Sequence, residues 1–139
     1  ARIMQQGFQV DLIPEAYVYH KRKSTLRKFF KQTYNFGKKR IDVYRMHPHT
    51  LKLTHFFPSV FTLYLASCVI LPFLWLPWSA LWAAPLVAYL LAILMDSSFR
   101  NRSLWVGLLS VATSVTQHLG YGLGFLRQFV RRVLLGKGQ

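Results

Sequence analysis

His20 stands directly before Lys21, Arg22 and Lys23. A neutral imidazole in that place can ligate a metal or bond a phosphate, and the three cations beside it favour an anionic ligand. The simpler account of the same residues is a histidine at a strand end beside a solvated charge run. Gln32, Phe36 and Arg40 follow at steps of four, so on a helix an amide and a guanidinium share one ridge. That spacing suits an acceptor sugar or a lipid phosphate, because Arg grips phosphate bidentately; the plainer alternative is the polar edge of a surface helix. His47, His49 and His55 are also neighbours, but His-x-His with a proline between, lacking Cys or carboxylate nearby, is a poor metal signature and reads as interfacial. The sequence contains no Ser/His/Asp set, CxxC pair, phosphate-cradling glycine loop or carboxylate pair. GYGLG at 120–124 follows His118 at membrane depth and reads as small residues for close helix packing.

The element that must position Gln32 and Arg40 is a helix. Leu26, Phe29, Phe30, Tyr34, Gly37, Ile41 and Tyr44 fall into one stripe at a period of 3.6, and Arg27, Lys28, Lys31, Lys38, Lys39 and Arg45 lie opposite. A helix aromatic on one face and cationic on the other suits the headgroup layer of a membrane, with Arg27, Lys28, Lys31, Lys38 and Lys39 as its membrane-surface cations. Ser24 is the expected N-cap, and no Glu or Gln follows three residues later to complete a capping box. Gly37 costs ~1 kcal/mol relative to Ala in a helix interior. On the apolar stripe it implies a close backbone approach or a kink. Pro48 is expected to interrupt the helix and open a short connection toward the membrane.

Charge and hydropathy divide the chain. Residues 1–56 hold twelve of the eighteen Lys and Arg and three of the four acids, a net of +9 against +5 for 57–139. A basic excess of this size points to a polyanion: phospholipid, nucleic acid or substrate phosphate. Residues 53–95 contain no Asp, Glu, Lys or Arg, a run long enough for two membrane spans at ~20 residues each. The lone cysteine, Cys68, falls inside that run, so no disulfide framework supports the fold. Spans are expected at about 57–76, 78–95 and 104–126. Trp75, Trp78 and Trp82 mark the far interface around Pro77, and Arg100 and Arg102 return to the side of the basic helix by the positive-inside rule. The third span carries Ser110, Thr113, Ser114, Thr116, Gln117 and His118, so it must hide a polar face. A full crossing there would also separate Arg127, Arg131, Arg132 and Lys137 from the other cations.

Ahead of the helix, Gly7 suits the C′ position of a helix ending at 2–6. The alternation in 8–13 and the β-rich run 16–19, separated by Pro14, read as two short strands that need a larger sheet to be stable.

The first third of the chain resembles the end of the catalytic domain of bacterial membrane-bound family 2 glycosyltransferases. There a Glu-Asp motif opens a helix that ends in Arg-Ile and then Gly-Phe or Gly-Tyr, followed by a strand, a proline and a second strand closing on His. The residues that match are Arg2, Ile3, Gly7, Phe8, Pro14, Ala16, Val18 and His20, then Phe30, Gln32, Gly37 and Arg40. HLGYGLGF, beginning at His118, also resembles the last membrane segment of these proteins.

The resemblance implies a nucleotide-sugar-dependent, inverting hexosyltransferase with a Rossmann-like α/β domain, an aspartate base and a divalent metal (Mg or Mn) on the departing diphosphate. The metal-binding Asp-x-Asp and the Glu-Asp base would precede Ala1, and Asp11 and Glu15 do not match them, so no catalytic residue is assigned in these residues. His20 becomes a candidate metal or diphosphate ligand, and Gln32 and Arg40 candidates for the acceptor or its phosphate. The sequence departs from the Gln-x-x-Arg-Trp motif of processive synthases, since Gln32 is eight residues from Arg40 and no Trp adjoins it. Transfer of one sugar to a lipid-linked or cell-envelope glycan acceptor is the more economical expectation.

The expected architecture is therefore mostly α: a remnant of a Rossmann-like domain with two short strands (1–23), an amphipathic interface helix and connection (24–56), and two to three transmembrane helices with a basic tail (57–139). The expected location is the bacterial cytoplasmic (inner) membrane, multi-pass, with the interface helix on the cytoplasmic side. Expected partners are membrane lipids, a nucleotide-sugar donor and the acceptor. A non-enzymatic membrane anchor would explain the charge and the apolar run but not the strand, proline, strand, His order. Nucleic acid is not expected, because the aromatics occupy one face of the helix and the charges the other, unlike a base-stacking platform.

Overall fold

The computed structural model describes residues 6, 7, 9, 11, 13–19, 25–74 and 78–136. Among them the chain forms α1 (Leu26–Met46), α2 (Phe57–Ile70), α3 (Ser79–Asn101) and α4 (Leu104–Phe129), with 3-10 turns at Pro48–Thr50, Leu53–His55 and Leu71–Leu74. A π-turn, Val130–Leu134, continues α4.

No strand forms among the described residues, which corrects the expectation of a Rossmann-like portion with two short strands at 8–13 and 16–19. The Ala16 N–H donates to the Ile13 carbonyl at 3.2 Å, closing a turn over Pro14 and Glu15. An extended segment needs a neighbouring strand for its backbone groups and a surface for its apolar side chains. The described residues provide neither: Val18 and Tyr19 are 90% and 95% exposed. Phe8, Val10, Leu12 and His20 lie outside the described residues, as do Trp75 and Pro77. Gly7 has a left-handed φ of 83°, while residues 2–5 of the helix expected to end there lie outside the described residues.

α1 begins one residue later than expected. Its N-cap is Thr25, with an extended backbone and a side-chain oxygen that accepts from the Lys28 N–H at 3.3 Å. Ser24 lies outside the described residues. At the other end the His47 N–H bonds the Val43 carbonyl at 2.8 Å, and Pro48 opens the first 3-10 turn.

The fold is organised on α4, which touches each of the other three helices. α1 lays Thr33, Gly37 and Ile41, a row at steps of four, onto the C-terminal half of α4. Gly120 meets Thr33 and the Phe30 carbonyl, Gly124 meets the Tyr34 carbonyl, and Gly37 meets the backbone of Tyr121 and Phe125. Numbers rise together along both helices, so the two run parallel. Three glycines at the contact bring the main chains together, as the glycine-rich 120–124 segment and Gly37 suggest from sequence. Leu26, the first residue of the expected stripe, is exposed, because α4 covers α1 from Phe30 onward.

α3 and α4 form an antiparallel hairpin. Ser97 and Ser110 share a hydroxyl–hydroxyl bond of 2.7 Å, and Tyr89 reaches Ser114 at 3.0 Å. Gly107 admits Leu94 and Ser98. α3 continues through Asp96–Arg100, an i,i+4 ion pair at 2.8 Å, before Arg102 takes a left-handed φ of 49° and Ser103 caps α4 by accepting from the Val106 N–H. α2 crosses α4 where Gly122 meets Pro58 and Thr62, and Thr62 donates to the His118 carbonyl at 3.1 Å. Phe125, 1% exposed, and Ile41, fully buried, form the centre of the fold, with the Phe56 ring 5.2 Å from that of Phe125.

Leu53–Leu74 and Ser79–Asn101 are long and apolar enough to cross a membrane. Their apolar side chains point largely outward: Val60, Leu63, Val69, Leu81, Val87 and Leu91 are all exposed. α4 is not among the described helices that pass that test, because Gln117, His118 and the glycines interrupt its apolar run.

Candidate functional site

Arg40 projects from the flank of α1 into the angle between that helix and the turns leading to α2. Its Nη2 donates to the Thr50 carbonyl and lies 3.2 Å from Nδ1 of His55. The Lys52 N–H also donates to that Nδ1, at 2.8 Å. The Lys52 carbonyl oxygen faces the same nitrogen at 3.0 Å, so the guanidinium, the Lys52 amide and the Lys52 carbonyl all converge on Nδ1. Arg40 is thus held by the chain fifteen residues further on, and its Nε remains buried without a partner.

An open cleft of about 360 Å³ adjoins this junction, lined by Phe36, Lys39, Arg40, Val43, His55 and Tyr121. Two cations, an imidazole and a phenol O–H line it, and among the described residues no carboxylate does. Such a lining favours an anion with several acceptor oxygens. The structure brings together two of the three residues that the i, i+4 spacing places on one ridge, Phe36 and Arg40. Gln32 is half-buried one turn earlier and does not line the cleft.

His55 and Tyr121 were not legible as site residues. His55 reads in sequence as one of three interfacial histidines, yet only it reaches Arg40; His47 and His49 pair with each other at 5.9 Å between rings. The available signal was Pro48, which reverses the chain soon after α1 ends. Tyr121 comes from α4, and nothing local to α1 announces it.

The cations of α1 divide. Arg27, Lys28, Lys31 and Lys39 are exposed. Lys38 is half-buried, its ammonium 6.0 Å from the centre of the Tyr34 ring. On the same flank Arg127 donates to the Tyr34 hydroxyl at 2.8 Å. Asp42 accepts from the buried Gln128 amide at 2.6 Å and lies 3.7 Å from Arg132. Arg127 in the last turn of α4 and Arg132 beyond it therefore lie beside α1.

A second polar group lies among α2, α3 and α4. The Tyr89 hydroxyl bridges Ser114 and Nε2 of His118, at 3.0 and 3.1 Å, and the Phe61 ring packs 4.6 Å from the imidazole. This satisfies part of the polar face of α4. Ser110, Thr113 and Thr116 also bond carbonyls of their own helix, while Gln117 is exposed.

Among the described residues no group of three His, Cys, Asp or Glu side chains is placed to hold a metal. The metal or diphosphate role expected of His20 lies outside the described residues. In comparisons with protein-family models, curated proteins and solved structures, the chain has no significant match.

Proposed function

We propose that this chain is the membrane-anchoring, acceptor-side portion of an inverting, nucleotide-sugar-dependent family 2 glycosyltransferase, multi-pass in the bacterial cytoplasmic membrane with α1 on the cytoplasmic side. Its acceptor is a lipid-linked or cell-envelope glycan. The observation that carries the proposal is the Arg40 cleft: a cationic, hydrogen-bond-donating recess beside the turns that lead into the first apolar helix. A phosphate at headgroup height meets Nη1 of Arg40, the guanidinium nitrogen that Thr50 and His55 leave unengaged, with Lys39, the His55 imidazole and the Tyr121 hydroxyl around it. Gln32 stands one turn away, where a sugar beyond that phosphate extends. The divalent metal, Mg or Mn, belongs in this proposal to the donor diphosphate, with His20 as a ligand. In this proposal the described residues hold the acceptor and the membrane surface.

The test is Arg40→Lys in the full-length enzyme. It keeps the charge and removes Nη1 together with the guanidinium that holds it in place, and the expected result is an acceptor KM raised about ten-fold, the scale of a lost charge-assisted hydrogen bond. Donor KM and membrane attachment stay unchanged. An acceptor KM equal to that of the parent enzyme overturns the assignment of this cleft. His20→Ala is expected to lower turnover much more than stability, and near-normal turnover returns that histidine to a surface role.

The docking of α1 on α4, together with two apolar helices, also suits a non-enzymatic membrane anchor. That reading predicts that Arg40→Lys and His20→Ala leave every activity of the full-length protein unchanged.

A further inference from the structure

We infer that the opposite flank of α1 carries a second anion seat, centred on Tyr34 and specific for the phosphate of an acidic phospholipid. Tyr34 joins two cations from separate helices: Lys38 stands over its ring, 6.0 Å from the centre, and Arg127 of α4 donates to its hydroxyl at 2.8 Å. The hydroxyl accepts from Arg127 and retains its own proton to donate outward. The Lys38 ammonium and the Arg127 guanidinium therefore lie against one Tyr34 side chain, the first over its ring and the second at its hydroxyl.

Two exposed cations extend the seat. Lys31 precedes Tyr34 by one turn of α1, and Arg131 follows Arg127 by one turn, in the π-turn. Among the described residues none of Lys31, Lys38, Arg127 or Arg131 forms an ion pair; the carboxylate on this flank, Asp42, is engaged by Gln128 and Arg132. An anion is what the site lacks.

Two further observations select a lipid as its source. The seat lies on a unit that also carries two helices apolar enough to cross a membrane, so headgroups are the phosphates at hand. Its cations come from α1 and α4 alike, and the close glycine contacts fix their separation. A preformed pair of cations discriminates by geometry, whereas a row of flexible lysines attracts any negative surface. The seat is separate from the Arg40 cleft, which is on the other side of the α1–α4 contact and is lined by Tyr121 and His55. It does not depend on sugar transfer.

The test uses the full chain in neutral detergent, titrated with short-chain phosphatidylglycerol, short-chain phosphatidylcholine or inorganic phosphate, with bound species counted by native mass spectrometry. One phosphatidylglycerol is expected to bind in preference to phosphatidylcholine. Lys38→Gln and Arg127→Gln should each weaken it about ten-fold, the scale of a lost charge-assisted bond. Tyr34→Phe should weaken it about three-fold while retaining the ring, in line with one ordinary hydrogen bond. Lys52→Gln combined with Arg102→Asn removes two charges elsewhere and should leave binding within about two-fold, the residue of screened long-range attraction. Equal binding of phosphatidylcholine overturns the proposal. So does an equal loss in the Lys52/Arg102 double variant, which reduces the seat to diffuse charge. Inorganic phosphate bound as tightly as the lipid, with the same pattern of losses, assigns the seat to a free anion and also overturns it.

Discussion

Gly37 of α1 lies against the main chain of Tyr121 in α4, so close that a Cβ at Gly37 would collide with the Tyr121 carbonyl oxygen and the Phe125 amide nitrogen. In an unobstructed helix Gly→Ala stabilises by ~1 kcal/mol. Here the obstacles are backbone atoms, which cannot swing aside as a flexible side chain does. Gly37→Ala is therefore expected to destabilise the chain by about 1–3 kcal/mol, the usual cost of overpacking. Loss of helical signal on titration with denaturing detergent measures it. A more stable Gly37→Ala protein means that α1 and α4 are not in backbone contact.

Asp42 and Gln128 provide a second check on the same contact. The Gln128 side chain is buried, with its amide donating to Asp42 at 2.6 Å. Asp42→Ala leaves that amide without its acceptor, at about 1–3 kcal/mol. Adding Gln128→Leu removes the stranded group, so the double variant should recover part of the loss. Strict additivity in the double-mutant cycle would show that the two side chains do not interact.

The hydroxyls of the α3–α4 hairpin are not equivalent. Tyr89 bonds both Ser114 and His118 across two helices, while Thr113 bonds only the Leu109 carbonyl of its own helix. Tyr89→Phe strands two partners and should cost about 1–3 kcal/mol, whereas Thr113→Ala should cost a few tenths, since its carbonyl keeps its helical partner. Equal costs would place Tyr89 outside the α3–α4 contact.

Thr25→Ala tests the start of α1. The cap bond to the Lys28 N–H is exposed, and its loss should cost about 0.5–1 kcal/mol, seen as faster hydrogen exchange at Lys28 with exchange at Ile41 unchanged. Unchanged exchange at Lys28 would move the cap elsewhere.

α1 was legible because its amphipathic period is local, and Gly37 was legible as a close approach because glycine on an apolar face has little other use. The identity of the approaching chain was not. α1 and α4 are joined by bonds between residues 86 and 93 apart in sequence, and no pattern inside either helix encodes that distance. The same limit hid Tyr121 from the Arg40 cleft and left the basic tail after α4 without a place. The strand reading failed for the complementary reason. Alternation in 8–13 reports which side chains prefer one face, but pairing depends on a neighbour, and the described residues contain none. His55 was missed because a histidine that meets Arg40 looks in sequence like one that faces water.

The parallel seat of α1 along α4 also has a history within the ribosome's timescale. α1 is made first, and the glycines that receive Phe30, Thr33 and Tyr34 emerge some 90 residues later. At ~5–20 residues per second, the Thr33–Gly37–Ile41 row waits on the order of ten seconds for its partner. During that interval both apolar helices leave the ribosome as well. A chain arrested before Gly120 presents that row uncovered next to two apolar helices, so premature termination yields a product with an exposed sticky helix rather than a smaller version of this fold.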